Sequence, residues 1–302
     1  MTTIPGTTTA PSSEGRLRRA LRQSGAQELA ALVIMLALIV LVMASASNLF
    51  LTPRNITNML MDSTTVGIIA VFATLLMISG GLDLSVASTA ALCGVIIGTS
   101  QTSPGLWQGV GLALVVGAGV GLLNGFLVNF VGINPLITTL GMMSMTRGLA
   151  FVLADGLTLP VFDLNGTQSD LYAAFTRLSE GKVADIPYPI LIVVALFGLG
   201  IILLRYTTYG RAMYAIGDNA EAAFLAGLPV RRYRMIAYMA SGLSAAVAAV
   251  LLTSRLYAAD PRAAPNIELT VITAVVLGGT SLAGGQGSLF GTLLGVLILS
   301  TL

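Results

Sequence analysis

Long apolar runs broken by short polar stretches set the pattern of this chain. At ~20 residues per membrane crossing, nine candidate spans can be marked, near 28–49, 57–79, 84–100, 106–130, 134–154, 188–204, 235–254, 267–280 and 286–302. Two polar stretches are long: 155–187, after the fifth run, and 205–234, after the sixth. Residues 1–15 are rich in Thr, Ser, Pro and Gly, which predicts a tail without fixed structure, and Arg16, Arg18, Arg19 and Arg22 follow it. Ala44-Ser45-Ala46 imitates a signal-peptidase site, but the apolar stretch reaches from Ala26 to Phe50, so an uncleaved first span is expected. The last run, Leu289 to Leu302, stops without a basic flank, and at least one further span is expected beyond it. The fold class is therefore an all-α polytopic membrane protein of about nine to ten transmembrane helices with broken or re-entrant segments. It divides into a tail over 1–27 and a transmembrane domain over 28–302.

Composition agrees with the pattern. The 302 residues are 55% hydrophobic and 9% charged, against about 25% charged in soluble proteins, and the mean hydropathy is +0.90. The net charge of +2 does not point to nucleic acid, because the arginines sit at span ends rather than in one patch. A single cysteine, Cys93, in an apolar run leaves no intramolecular disulfide and no metal framework. The chain has no histidine, which excludes His-based catalysis and the commonest metal ligand. No catalytic residue, cofactor or metal is expected.

Charge also sets the expected orientation. Counting from a cytoplasmic N-terminus, 155–187 falls outside and 205–234 inside. The outer stretch holds Asp155, Asp163, Asp170, Glu180 and Asp185 against Arg177 and Lys182, whereas the two inner segments hold nine of the 15 basic residues. Both agree with the positive-inside rule.

The inner stretch contains a short helix with both ends specified. Asp218 is placed to cap the first amides, with Glu221 at capping-box spacing. Ala220 to Ala226 are mostly strong helix formers, Gly227 supplies a left-handed stop and Pro229 forbids continuation. About two turns long, such a helix is not stable alone in water, so something must pack on it.

Two glycine-rich stretches break the apolar pattern. In Ser79-Gly80-Gly81-Leu82-Asp83-Leu84-Ser85, the glycines relax the helix and Asp83 or Ser85 can cap the half-helix that restarts. An acid at membrane depth is a functional candidate, and backbone freed there needs protein or a polar cavity beside it. Two roles stay open for Asp83: simple capping, and a place beside a hydrated path. Asp62 lies near the outer boundary, where solvation is expected rather than function. The second stretch runs from Leu277 to Ser288 and includes Gly278, Gly279, Thr280 and Ser281. It is no phosphate-binding loop, since that needs Lys after the Gly and the single lysine is Lys182. Leu282-Ala283-Gly284-Gly285-Gln286 imitates the signature of ABC ATPases, but it lies between hydrophobic runs in a chain without a P-loop. ATP hydrolysis by this chain is not expected.

Three further features complete the reading. Asn134-Pro135 opens the fifth span with a cap and Pro at the first helical position. Arg147, about 18 Å further along, is expected to snorkel outward rather than face the bundle interior. Gly117, Gly121 and Gly125, spaced by four like Gly111 and Val115, predict close helix packing, and Asn124 and Asn129 can add hydrogen bonds between helices.

Glu221-Ala222-Ala223-x-x-x-Gly227 resembles the core of the cytoplasmic loop in bacterial ABC importer permeases, although the Ile-x-Leu-Pro that follows in that loop is replaced by an immediate Leu228-Pro229. An ordered set of motifs extends the resemblance over nearly the whole chain: Phe50-Leu-Thr-x-x-Asn55-x-x-Asn58, Gly80-Gly-Leu-Asp-Leu-Ser85, Leu123-Asn-Gly125, Thr139-Leu-Gly-Met-Met-Ser144 with Arg147-Gly148, Gly210-Arg211-x-x-Tyr-Ala-Ile-Gly217, and Val276-Leu-Gly-Gly-Thr-Ser-Leu-x-Gly-Gly-x-Gly-Ser288. Together they resemble the ribose/xylose/galactose-type sugar ABC permeases, within the wider family that includes branched-chain amino-acid permeases. Ala87 stands where that family usually has Gly.

The resemblance implies an importer in the bacterial inner membrane, built from two permease subunits, two cytosolic ABC ATPase subunits and a periplasmic sugar-binding protein, and working by alternating access. Asp218, Asn219, Glu221, Ala222, Ala223, Phe224 and Gly227 would form the ATPase-coupling helix. Gly80, Gly81, Asp83, Ser85, Asn124, Gly278, Gly279, Thr280 and Ser281 are candidates for the translocation path. With 6% aromatic residues and no evident acid–aromatic cluster, sugar specificity is expected mostly in the binding protein. A furanose-like signalling molecule or another small polar solute is the alternative cargo. A secondary transporter shares broken helices and buried carboxylates, but does not need a capped, arginine-flanked docking helix.

Overall fold

The computed structural model describes residues 13–101, 105–162 and 169–302. Residues 1–12 of the expected tail, and Asp163, lie outside the described residues, and the rest of the tail is the start of α1. The nine apolar runs all fold as helices: α1 (Ser13–Ala46), α2 (Pro53–Ile78), α3 (Val86–Thr99), α4 (Leu106–Phe126, extended by a π-helical turn over Leu127–Val131), α5 (Pro135–Leu153), α7 (Tyr188–Tyr206), α10 (Val230–Leu256), α11 (Ile267–Leu277) and α12 (Leu289–Thr301). Six contain stretches long and apolar enough to cross a membrane. The other three, α3, α11 and α12, are shorter, and each begins or ends beside a glycine loop. At about 1.5 Å per residue a 14-residue helix cannot cross about 30 Å of hydrocarbon by itself.

The polar stretches hold helices that apolar periodicity does not reveal. Residues 155–187 contain the amphipathic α6 (Ser169–Glu180) and a hairpin, β2 (Lys182–Val183) with β3 (Ile186–Pro187). Residues 205–234 contain α8 (Thr208–Asp218) and α9 (Ala220–Leu225). A two-residue pairing of β1 (Leu159–Pro160) with β4 (Ala258–Ala259) ties the loop after α5 to the loop after α10.

α3 is the axis of the bundle. Thirteen of its 14 residues are buried, and it packs against α4, α5 and α10. The expected glycine packing is made by α4 against α10. A Cβ on Gly121 would stand 2.2 Å from the Tyr238 carbonyl oxygen, and one on Gly242 would stand 2.1 Å from that of Gly117. Only glycine permits backbones this close. The pattern does not extend to Gly111 and Val115: Gly111 has nothing within 4 Å and Val115 is exposed. Leu41, Met145, Val152 and Leu199 are each more than 60% exposed, as side chains facing lipid should be.

Two smaller expectations resolve differently. Asn134 caps α5 as expected, its Oδ1 accepting from the Leu136 amide at 2.9 Å with Pro135 at the start. Arg147 does not snorkel freely. It donates to the carbonyls of Pro261 (2.8 Å) and Ala263 (3.0 Å), pinning the loop after α10.

Candidate functional site

The first glycine break joins α2 to α3, and Gly80 turns it at φ +78°. Asp83, 8% exposed, lies just beyond. Its Oδ1 accepts from the Ser85 amide (3.0 Å), the Ser85 hydroxyl (2.6 Å) and Asn124 Nδ2 (3.3 Å), and its Oδ2 accepts from the Ser241 hydroxyl (2.9 Å). Asn124 Nδ2 also donates to Ser85 Oγ at 2.9 Å. One carboxylate thus ties the restart of α3 to α4 and α10. Four donors satisfy a charge that would otherwise be costly to bury. Gly80, Gly81, Asp83, Ser85 and Asn124 are brought together as a single unit.

α10 holds the other side of this break with three residues on one helical face. Arg234 donates from Nε (3.0 Å) and Nη2 (2.8 Å) to the Ser79 carbonyl. The fully buried Tyr238 donates its hydroxyl to the Leu82 carbonyl (3.2 Å) and accepts from the Leu82 amide (3.4 Å). Ser241 completes the set. Sequence reasoning missed all three, although their spacing of four and three along an apolar helix was a readable signal.

The second break, between α11 and α12, divides in two. Gly278 packs against α12, where a Cβ would meet the Gly291 carbonyl carbon at 2.4 Å. Thr280 is buried, and the Ser281 amide donates to the Gln286 carbonyl at 3.1 Å. The backbone hydrogen bonds of Gly278, Gly279, Thr280 and Ser281 stay within α11 and this loop. Contact with the first break is made further on, by Gly284 and Gly285. The Gly285 amide donates to the Ile78 carbonyl at 2.9 Å, and a Cβ on Gly284 would stand 2.9 Å from the Gly80 nitrogen.

The 205–234 stretch rests on this junction. A Cβ on Gly217, near the end of α8, would stand 1.8 Å from the Ile78 carbonyl oxygen and 2.4 Å from the Gly285 nitrogen. Tyr214 adds a hydrogen bond to the Gly287 carbonyl at 2.8 Å. Burial raises the pKa of Tyr214, and burial with the neighbouring Tyr233 pushes Tyr209 up to about 12, so both phenols remain neutral donors. Tyr209 stacks on Tyr233 with ring centroids 5.2 Å apart. Backbone meets backbone where α8 and the two glycine loops converge.

The short helix α9 is present, but its cap is one residue later than expected. α8 continues through Asp218, so Asn219 is the first residue to leave helical geometry, and its Oδ1 accepts from the Ala222 amide at 2.9 Å. Glu221 then lies one position short of capping-box spacing. The stop is as expected: Gly227 has φ +87°, and the Leu228 amide reaches the Ala223 carbonyl at 3.0 Å. Ala223 faces inward against Ala212, Ile216 and Val230. Glu221 and Ala222 are exposed, as are Phe224 at 68% and Leu225 at 79%.

Residues 55–302 match the family model described as branched-chain amino acid transport system / permease component. The chain is 40% identical over 253 residues to an L-arabinose ABC transporter permease protein of Azospirillum brasilense, covering 83% of this chain and 72% of that protein. It is 37% identical over 273 residues to the ribose import permease protein of Bacillus subtilis, covering 88% and 81%. The ribose import permease protein of Escherichia coli is 36% identical over 289 residues, covering 94% and 87%. The matched residues include every element of the junction just described, and the chain belongs to this family of membrane-embedded ABC transporter permease components.

Proposed function

We propose that the chain is the membrane subunit of a binding-protein-dependent importer for a monosaccharide of the ribose–arabinose class, with α9 as the element that couples it to a separate cytosolic ATPase. The substrate class rests on the relatives. The coupling role rests on one observation, the seating of Gly217 against Ile78 and Gly285, which ties the α8–α9 unit directly to both broken spans. In this reading 205–234 and the N-terminus are cytoplasmic and 155–187 is periplasmic, as the distribution of arginine favours. Two copies of the permease, or this chain with a paralogue, frame the path in the inner membrane, and a periplasmic sugar-binding protein delivers cargo to the outer face. ATP-driven closure of the ATPase pair displaces α9, whose exposed Phe224 and Leu225 offer apolar anchors. α8 carries that displacement to the breaks beside Asp83. The switch requires ATP and loaded binding protein to favour different states.

The test is ATP-dependent uptake of D-ribose and L-arabinose into proteoliposomes holding the permease, its ATPase and its binding protein. Uptake of one sugar above the ATP-free background is expected, and uptake of neither overturns the reading. A double variant, Asn219→Ala with Gly227→Val, isolates α9. Loss of the cap costs about 1 kcal/mol, and a β-branched residue in the left-handed region costs about 1–2 kcal/mol, although nothing lies within 4 Å of Gly227. These changes are small beside the packing of the bundle and large beside the stability of a six-residue helix. The variant should insert normally yet lose ATPase stimulation by loaded binding protein, and normal stimulation would remove α9 from the coupling role.

Orientation has its own readout. Cys93, the single cysteine, is buried, so a Cys93→Ala background leaves no native thiol. Thr176→Cys and Lys182→Cys should then react with a membrane-impermeant thiol reagent from the periplasmic side. Labelling that requires opening the membrane would invert the topology.

A further inference from the structure

At the end of the bundle opposite α9, a cavity of about 520 Å³ opens between α2, the end of α10 and the loop leading to α11. Its polar lining comes from Asp62 and Thr65 on α2, Arg255 on α10, and Asp260 and Arg262 on the loop, and Leu252, Pro265 and Ile267 form apolar walls. The four charged residues form two carboxylate–guanidinium pairs. Arg255 Nη2 lies 2.5 Å from Asp62 Oδ1, and Arg262 Nη1 lies 4.0 Å from Asp260 Oδ1. We propose that this cavity is a binding site for a monosaccharide on the permease itself, resting on the importer reading above.

Three properties select that chemistry. The charges of the lining cancel, which suits a neutral ligand rather than an anion or a cation. Each pair sets an acceptor beside a donor, the arrangement that engages a vicinal diol, where each hydroxyl donates to a carboxylate and accepts from a guanidinium. The volume falls within the about 300–1,000 Å³ of small-molecule sites.

The Asp62–Arg255 pair retains bonding capacity, whereas Arg262 Nη1 also donates to the Gly156 carbonyl (3.2 Å) and its guanidinium lies over the Phe151 ring. The Asp62–Arg255 contact uses one oxygen and one nitrogen, leaving Asp62 Oδ2 and the other guanidinium N–H groups without a protein partner among the described residues. The Asp62 side chain is 69% exposed. Asp260 is fixed in place by Thr158 Oγ1 (2.7 Å) and the Arg262 amide (2.7 Å). Burial opposes its ionisation, but these two hydrogen bonds and the guanidiniums of Arg262 and Arg147 outweigh it and hold the carboxyl below its usual range. The wall is built with strain at one point, for Ala264 has φ +57° without being glycine. The cavity is open to one side, so binding should be weak and transient, as a transfer site requires.

The test uses the intact importer and the purified full-length permease. Saturation-transfer NMR with D-ribose and L-arabinose should give signals for the permease alone, and Asp62→Asn or Arg255→Gln should weaken binding about tenfold. Uptake at subsaturating cargo should fall in parallel. A purely structural ion pair is separated by the swap Asp62→Arg with Arg255→Asp, which restores the pair but moves donor and acceptor to opposite walls. The swap should leave binding lost. Wild-type binding in either single variant, restoration by the swap, or no signal from wild-type permease with either sugar overturns the site. If the importer takes up sugar while the variants match wild type, the site fails and the importer reading stands. If uptake of both sugars is absent, the importer reading itself fails.

Discussion

Gly217→Ala is expected to reduce ATP-driven uptake below about a tenth of wild type, from the addition of a single methyl group. That methyl would stand 1.8 Å from the Ile78 carbonyl oxygen, 2.4 Å from the Gly285 nitrogen and 3.0 Å from the Ile78 carbonyl carbon. All three are backbone atoms at helix ends or in glycine turns, so no side chain can rotate to make room. α8 must lift, and the 2.9 Å hydrogen bond from Gly285 to Ile78 is the contact it disturbs. The rest of the bundle, centred on α3 and on the α4–α10 crossing, does not depend on this contact. The variant should therefore insert and still bind the ATPase through α9 while transmitting little of its movement. Gly119→Ala on α4 is the control: nothing lies within 4 Å of Gly119, and alanine favours the helix by about 0.5–1 kcal/mol. Equal uptake by the two variants would show that the junction is not the route of coupling.

The second large effect is expected at Asp83. Replacement by alanine strands the Ser85 amide and the Ser85 and Ser241 hydroxyls in a buried site and leaves Asn124 Nδ2 with only its bond to Ser85 Oγ. Each unmet buried group costs about 1–3 kcal/mol, so Asp83→Ala should lower both membrane abundance and uptake. Asp83→Asn is the sharper variant. It keeps the shape and one carbonyl oxygen to accept three of the donors, and the Ser241 hydroxyl can turn to accept from the new amide. Near-normal abundance is expected, with uptake per molecule reduced about tenfold, because the break loses the charge that ties α3 to α10. Wild-type uptake at equal abundance would reduce Asp83 to a cap.

The residues that make these predictions differ in how far the sequence disclosed them. Asp83 is legible because an acid after paired glycines in an apolar run has few bland explanations. Gly227 is legible because a left-handed stop is a local backbone demand that glycine meets. The cap of α9 falls on Asn219, one residue after the expected Asp218, because the end of α8 decides which residue caps α9 and apolar periodicity does not reveal α8. Asp62 read as a solvated charge, since the partner that changes its meaning, Arg255, lies 193 positions away.

The sequence by itself determined what depends on neighbours along the chain: the apolar helices, the glycine breaks, the stop of α9 and the ordered motifs of the permease family. Hydrophobic length and backbone conformation are local quantities, so composition and spacing suffice to set them. The tertiary structure decided which breaks meet and through which atoms. Gly284 and Gly285, rather than Gly278 or Thr280, reach the first break, and Gly217 joins them. It also gathered Arg234, Tyr238 and Ser241 around Ser79–Ser85 and built the charged cavity at the far end. Those outcomes rest on backbones so close that a Cβ on the facing glycine would stand less than 3 Å away, and on hydrogen bonds between residues about 40 to 190 positions apart, and such approaches are fixed only when whole helices pack.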